Sequence, residues 1–600
     1  MSSRKIALTG AKVNVEDSIY IPQSNFLVLK ESYNLSSSRA EGDLFEVEID
    51  SNDFVEFVFD DDTAWFGNTD TLHELFPELN IKKRSAGDIA LLPFSLTTDN
   101  ESRSIKSVAL KVFNIFGKNV IKESVKELAE YLEKKLLDNQ SGLYQVDETF
   151  DLQPYKSLQV ESPVLLFLHG TGSSTKGSFS ELNGSQLWND MKRIYKGNIL
   201  AFQHETFTKS PLQNAYEIFE QLPANATLHI ISHSRGGLVG EVLARFCYDK
   251  NGFNEASIEL LNRIERVEDI AQIKAIKTLI SKKKIKVEKF IRVACPASGT
   301  SLLSKRLDFY FNVSLNLISF ATGSKANLIV DGFKAILSAI LDSKNDVNIL
   351  PGLEAMSPSS PFLKVLNAPD KIKGSLVVIS GNANFSLSLK ALVVIVSKLV
   401  FKGENDFVVN TKSMYQGSPR EKSLQYFFDE GTDVNHFNYF KNSKTQEAIS
   451  RALTSNEALI TSFSEYKSGS YDDAQRGVFG LDGGAVFYDE VNGNKPIVIV
   501  LPGIMGSNLS REGSGIWVNY FKMVMGGLMD LDVSKPGIKS SSLIKTSYKK
   551  LCVHLSEEYD VVTFPYDWRL SVTESAKKLH DKIKFLLSYN QPIKIIAHSM

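Results

Sequence analysis

The chain has 600 residues, more than one hydrophobic core organises, so several folding units are expected. An apolar share of 43% and a charged share of 23% exclude a fibrous or disordered chain. A formal net charge of −2, without a long basic or acidic run, excludes an electrostatic nucleic-acid binder.

The N-terminus, MSSRKIALTGAKVNVED, lacks the apolar stretch of a signal peptide. Residues 1–140 predict an accessory α+β region whose role is not legible. LFEVEID and FVEFVFD alternate as half-buried strands do, and Ile121, Val125, Leu128, Ala129, Leu132 and Leu136 share one helical face. Asp60, Asp61 and Asp62 lie between strand-like runs without calcium-loop spacing and read as a solvated turn.

From 142 to 460 short apolar runs alternate with helical stretches, which predicts a mostly parallel sheet covered on both faces. The runs are VLLFLHG (164–170), NILAF (198–202), TLHII (227–231), FIRVAC (290–295), SLVVIS (375–380) and SLQYFF (423–428). Two inserts interrupt them. Residues 252–284 are largely helical, and the run Lys282, Lys283, Lys284 and Lys286 before the next strand reads as a solvated helix end. Residues 300–362 carry the apolar run Leu307–Phe320 and the helical stripe Phe333, Ile336, Leu337, Ile340 and Leu341; a lid and a packed excursion are equally compatible with them. Leu387–Phe401 holds Lys390 and Lys398 and falls short of the ~20 residues a membrane span needs.

In TLHIISHSRGGLVGEVL a buried strand ends at a turn carrying Ser234, and a helix follows. A serine at such a strained turn is how an α/β-hydrolase exposes its nucleophile; Ser232 stands where the common pattern has glycine. The serine needs a base, and His436 is the one histidine between Ser234 and His554. For the acid that orients the base, Asp406 in GENDFVV is favoured by loop position, with Glu404 and Asp433 as rivals. Oxyanion donors are expected from the N–H of Arg235 and from the HGTGSS loop, with Thr171 favoured there. His169 and His233 are expected to support the turns.

HGTG, SHSRGG, CPASGT, PGLEAMSPSSPFLKVLN, GENDFVV and VNHF together resemble lipase-like serine hydrolases of the α/β-hydrolase superfamily over residues 160–450. The resemblance implies an ester or lipid-ester substrate and neither a metal nor an organic cofactor.

A Gly/Asp/Ser-rich linker (461–494) leads to a second unit (495–600): KPIVIVLPGIMGSNL, a strand running into a glycine loop, then VVTFPYDWR, a helix over 572–587, and the strand PIKIIAHSM with Ser599 at its end. PIVIVLPGIMGSNL, Trp517, PYDWRLS and AHSM in that order resemble the lecithin:cholesterol acyltransferase family. That resemblance implies Ser599 as nucleophile, Ile504 and Met600 as oxyanion donors, Trp517 in a lid-like loop and Asp567–Arg569 in a structural loop. His554 and His580 precede the serine and fit no known order, so this unit is expected to be an incomplete hydrolase, inactive as given, with an unpaired sheet edge. The chain is expected to be a fragment of a longer protein.

The fold class expected is therefore α/β, two hydrolase units with the second incomplete, behind an N-terminal α+β region. The leading functional expectation is a serine esterase or lipase working through an acyl-enzyme on Ser234. Water and alcohol acceptors both stay open. The alternatives are an acyltransferase, an amidase or peptidase with the same residues, and a non-catalytic scaffold. A lipid-like substrate brings with it an expectation of peripheral membrane contact. Three distant cysteines, Cys247, Cys295 and Cys552, match neither a disulfide framework nor a zinc site and predict a cytoplasmic protein.

Overall fold

The computed structural model describes residues 4–22, 26–37, 42–80, 89–97, 107–118, 125–156, 162–300, 307–322, 328–342, 350–368, 370–383, 405–421, 424–431, 434–455, 459–466, 495–511, 537–556 and 558–599, with short pieces between them. They form two compact units, Met1–Leu96 with Val108–Tyr466, and Thr97–Ser107 with Lys467–Met600.

The first unit opens with an eight-stranded sheet. Its strands are β1 (Arg4–Val13), β2 (Leu27–Leu35), β3 (Asp43–Ile49), β4 (Phe54–Phe59), β5 (Ala64–Gly67), β6 (Ala90–Leu91), β7 (Ser95–Thr97) and β8 (Ser107–Lys118). The order is β3-β1-β2-β8-β4-β5, antiparallel along that path, with β6 on β1 and β7 on β8. The helix Val125–Leu136 follows. Alternation in FVEFVFD predicts a half-buried strand, but every residue of β4 is buried. The reason is a cover from far along the chain. Lys334, on the insert helix Leu328–Asp342, reaches Glu56 of β4 at 2.7 Å, and both side chains are almost wholly buried. Asn114 donates to the other Glu56 oxygen, and Ser32 donates to Asn114.

The other insert helix, Leu307–Thr322, closes the free edge of β5. The Asn312 amide accepts from the Phe66 N–H and donates to the Phe66 carbonyl, both at 2.8 Å. One turn on, Asn316 does the same for Ala64, at 2.7 and 2.6 Å. Residues four apart lie on one helix face, so two side-chain amides satisfy four edge groups as a neighbouring strand would.

The other sheet of the same unit has nine strands. They are β9 (Gly142–Val146), β10 (Leu152–Pro154), β11 (Val164–Leu168), β12 (Ile199–Gln203), β13 (Thr227–His233), β14 (Lys286–Val293), β15 (Val377–Ala383), β16 (Leu424–Gly431) and β17 (Ser464–Tyr466). The order is β10-β9-β12-β11-β13-β14-β15-β16-β17, parallel from β12 to β16 and antiparallel at both ends. All five residues of β11 and of β12 are buried, as a sheet covered on both faces requires. The chain runs from β11 to β12 on one side and then to β13 on the other. Such a reversal is where open α/β sheets form a ligand crevice, here beyond the carboxyl ends of β11 and β13.

The second unit holds a four-stranded antiparallel sheet, β18 (Ala485–Val486), β20 (Ser507–Arg511), β21 (Ser514–Gly515) and β22 (Ile538–Ile544), in the order β18-β22-β20-β21. Beside it lies a parallel three-stranded sheet, β19 (Ile497–Leu501), β23 (Asp560–Thr563) and β24 (Ile593–Ala597), in the order β23-β19-β24. This repeats the β12-β11-β13 arrangement, and the strand in the β13 position, β24, leads to Ser599. Asp567 and Arg569 pair at 2.6 Å in the loop after β23. No described helix is long and apolar enough to cross a membrane.

Candidate active site

Ser234 follows β13 directly, at the crevice between β11 and β13. Its φ of 52° is left-handed, a conformation that costs a residue with a side chain ~1–3 kcal/mol and persists only where the surroundings hold it. Two close approaches hold it here. A Cβ on Gly170, in the loop after β11, would lie 2.9 Å from Ser234 Cβ, and one on Gly236 would lie 2.3 Å from the Leu168 carbonyl oxygen. The helix Gly236–Tyr248 then starts against the sheet, and Glu241 anchors it by accepting from Arg292 of β14 and, at 2.7 Å, from Arg420. Burial pushes the Glu241 carboxyl upward, but the two guanidiniums outweigh it and hold the group below its usual range.

The base and acid arrive from the far side of the sheet. His436 Nε2 lies 2.9 Å from Ser234 Oγ, and His436 Nδ1 lies 2.7 Å from Asp406 Oδ2. Asp406 has no further need of water. Its Oδ1 accepts from the N–H groups of Val408 and Val409, and its Oδ2 also accepts from the Tyr439 hydroxyl at 3.3 Å. A carboxylate accepts on both oxygens, so Asp406 accepts a hydrogen bond from Nδ1–H of His436, which leaves Nε2 free to accept from the serine. Ser234, His436 and Asp406 are respectively 3%, 3% and 0% exposed. The rivals Glu404 and Asp433 lie outside the described residues.

Thr171 and Arg235 flank the serine, and among the described residues neither N–H is taken by a protein acceptor. The Thr171 hydroxyl faces Met356 Sδ at 3.3 Å. The Arg235 side chain turns away from the crevice, donating to the carbonyls of Gly352 and Lys209 and to Asn214 Oδ1. His233 bridges Ser178 Oγ and the His436 carbonyl, and burial pushes its imidazole well below the usual histidine range. His169 stacks on His204 at 4.0 Å and accepts the His204 N–H; burial pushes it down to about 4.

Sequence patterns gave no sign of three participants. Tyr439 stands three residues after His436, and its link to Asp406 depends on a turn. Ser178 clasps His233 from a separate helix. Glu133, on the helix Val125–Leu136, is buried against the segment after β12: the N–H groups of Thr206 and Phe207 and the Thr208 hydroxyl all donate to it. Burial pushes its carboxyl up to about 7 against those bonds. A charged residue on a helix gives no hint of such contacts.

At the second serine, Ser599 has a φ of 57°, and a Cβ on Gly503 would lie 2.9 Å from Ser599 Cβ, the same separation as at Gly170. Tyr548 OH takes the place of Ser178, accepting from the Gly503 N–H and contacting His598 Nδ1, both at 2.9 Å. In the first turn Ser178 Oγ accepts from the Gly170 N–H at 3.4 Å and contacts His233 Nδ1 at 3.3 Å. Ser599 itself is exposed, and among the described residues no histidine is hydrogen-bonded to it. Ile504 is 51% exposed, while Trp517 and Met600 lie outside the described residues.

Among the described residues no group of three or more His, Cys, Asp or Glu side chains could hold a metal ion. At Ser234 the protein places a base within reach of a hydroxyl and a carboxylate behind that base.

Several solved structures are similar to this chain at low scores. Lipase 1 from Pelosinus fermentans is 14% identical with a TM-score of 0.32, over 49% of this chain and 99% of that one. EstA from Clostridium botulinum is 14% identical with a TM-score of 0.31, over 55% and 98%. The lipase of Staphylococcus hyicus is 14% identical with a TM-score of 0.28, over 51% and 95%. At these scores the fold rests on the strand order and register of the chain itself. No curated protein matches it in sequence. The family described as "Domain of unknown function (DUF7379)" matches residues 134–259 and 271–454, more than half of the chain, and the chain belongs to that family.

Proposed function

We propose that the chain is a serine hydrolase of the esterase and lipase class that forms an acyl-enzyme on Ser234. The observation that carries the reading is the unbroken hydrogen-bonded line Asp406–His436–Ser234, ending on a serine in left-handed backbone. Ser234 Oγ attacks the ester carbonyl carbon and its proton passes to His436 Nε2. The imidazolium is stabilised by Asp406, and the carbonyl oxygen, now an anion, accepts from the N–H groups of Thr171 and Arg235. Collapse of this intermediate breaks the ester C–O bond, and the departing alcohol takes the proton from His436. Water then repeats the sequence and releases the acid.

The substrate reading is an ester with an apolar acyl group. Phe207, Phe311 and Phe333 contact one another with centroids 5.9–6.1 Å apart, and a Cβ on Gly172, one residue past Thr171, would lie 2.9 Å from Phe333 Cζ. Such a wall suits an acyl chain, and peripheral contact with a lipid surface belongs to the same reading. Three free cysteines fit a cytoplasmic protein. Fluorophosphonate labelling of the chain with peptide mapping tests the reading: modification of Ser234 supports it. A folded chain that stays unlabelled favours a binding scaffold. A series of p-nitrophenyl esters of rising acyl length then tests the substrate class, with activity expected to rise beyond the acetate.

A second reading, an O-acyltransferase of the lecithin:cholesterol acyltransferase type centred on Ser599 in the full-length protein, is favoured by one observation. Its turn has the same strand order, glycine approach and hydroxyl clasp as the turn at Ser234. Transfer of a labelled acyl group to an added alcohol, lost in Ser599→Ala, would support it; unchanged transfer in that variant would overturn it.

A further inference from the structure

The segment between β12 and the helix Pro211–Gln221 is pinned along its length by groups from distant parts of the first unit. Glu133 takes the N–H groups of Thr206 and Phe207 and the hydroxyl of Thr208. The Phe207 carbonyl accepts from the Gly352 N–H at 2.8 Å, and the Lys209 carbonyl accepts from Arg235 at 2.5 Å. The segment in turn holds the loop beside the serine, since the Gly172 N–H donates to Thr206 Oγ1 at 3.0 Å. Gly172 is joined directly to Thr171. A carboxylate on the helix Val125–Leu136 is thus three links from the amide expected to receive the oxyanion. Glu133 lies just before residue 134, where the family match begins.

We infer that Glu133 is a positioning residue for the oxyanion side of the site, holding the Thr206–Thr208 turn so that Thr206 fixes Gly172 and aims the Thr171 N–H. The inference rests on Ser234 being the nucleophile. It gives the region before the hydrolase-like sheet a part in the chemistry without touching the substrate. Three donors converge on two carboxylate oxygens, which sets the turn within a narrow range; an amide displaced by about 1 Å from a reacting atom costs on the order of 100-fold in rate.

The test measures fluorophosphonate labelling rate and p-nitrophenyl butyrate hydrolysis in the full chain, with urea unfolding as a check on folding. Glu133→Ala is expected to lower kcat and the labelling rate by about 10- to 100-fold with KM changed less than about threefold. Glu133→Gln keeps an oxygen for the two N–H groups and is expected to recover most of the loss. Thr206→Val keeps the shape and removes only the acceptor of the Gly172 N–H, so it is expected to slow both rates severalfold and stands in should Glu133→Ala not fold. Wild-type rates in folded Glu133→Ala, or in Thr206→Val, overturn the inference, as does a Glu133→Gln variant no faster than Glu133→Ala. A folded wild-type chain that does not label fails one step earlier, at Ser234, and overturns both readings.

Discussion

Ser234 and Ser599 each follow a strand that lies beside the first parallel strand of its sheet, on the side away from the second. Both have left-handed backbone, both lie under a glycine at the same 2.9 Å, and in both a hydroxyl ties that glycine's N–H to the histidine before the serine. The hydroxyl is a serine in one turn and a tyrosine in the other. They part in what surrounds the serine. Ser234 is buried against His436 and Asp406; Ser599 is exposed and meets no histidine among the described residues. The turn is thus a local product of strand, glycine and hydroxyl. At Ser234 the acid and the base come from segments that follow β15 and β16.

If that separation is right, the largest effect will come from removing the first hydroxyl. Ser234→Ala is expected to cut ester hydrolysis by about a millionfold and to abolish phosphonate labelling. Residual labelling mapped to Ser599 would break the contrast between the turns. Asp406→Asn preserves the shape but favours the wrong imidazole tautomer, and a loss of about 10,000-fold in kcat is expected from steady-state kinetics. Support behind the first turn should show as stability: Glu241→Gln leaves two buried guanidiniums short of their partner and is expected to cost about 3–5 kcal/mol by urea unfolding.

Burial of the first turn also makes a pH signature. His169, His204 and His233 are pushed below their ordinary 6.5 mainly by burial, so on acidification the unfolded chain takes up protons there that the folded chain refuses. Their stabilisation is full above 6.5 and lost as pH falls. Glu133, raised to about 7, works the other way and is most stabilising below its unfolded value near 4.5. The lowered histidines outnumber the one raised carboxyl, so stability is predicted to fall as the pH drops from 6 to 5, read from urea midpoints. The smallest effect expected is that of Ser599→Ala, within twofold of wild type in p-nitrophenyl ester hydrolysis; a tenfold loss would mean that the exposed serine takes part.

Legibility followed sequence distance. Six apolar runs marked β11 to β16 because a strand buried on both faces needs contiguous apolar residues. Ser234 and His436 stood out because each follows such a run, Asp406 by its place in the loop between the last two runs, and chain order does the rest. Glu133, Asn312, Asn316 and Lys334 left no mark: they are polar residues on helices, ordinary until a partner 70 to 280 positions away is known. FVEFVFD misled for the same reason, since alternation reports a strand's own composition and not the helix that will cover it.

The amide pairs of Asn312 and Asn316 set a timing problem for a chain made from its N-terminus. The edge groups they satisfy lie 246 and 252 positions earlier. At a synthesis rate of roughly 5–20 residues per second, β5 emerges on the order of 12–50 seconds before its partners exist. Through that interval the nascent sheet presents an open, hydrogen-bonding edge to every other nascent chain nearby. How long that edge stays open is set by the distance along the chain between two asparagines and the strand they finish.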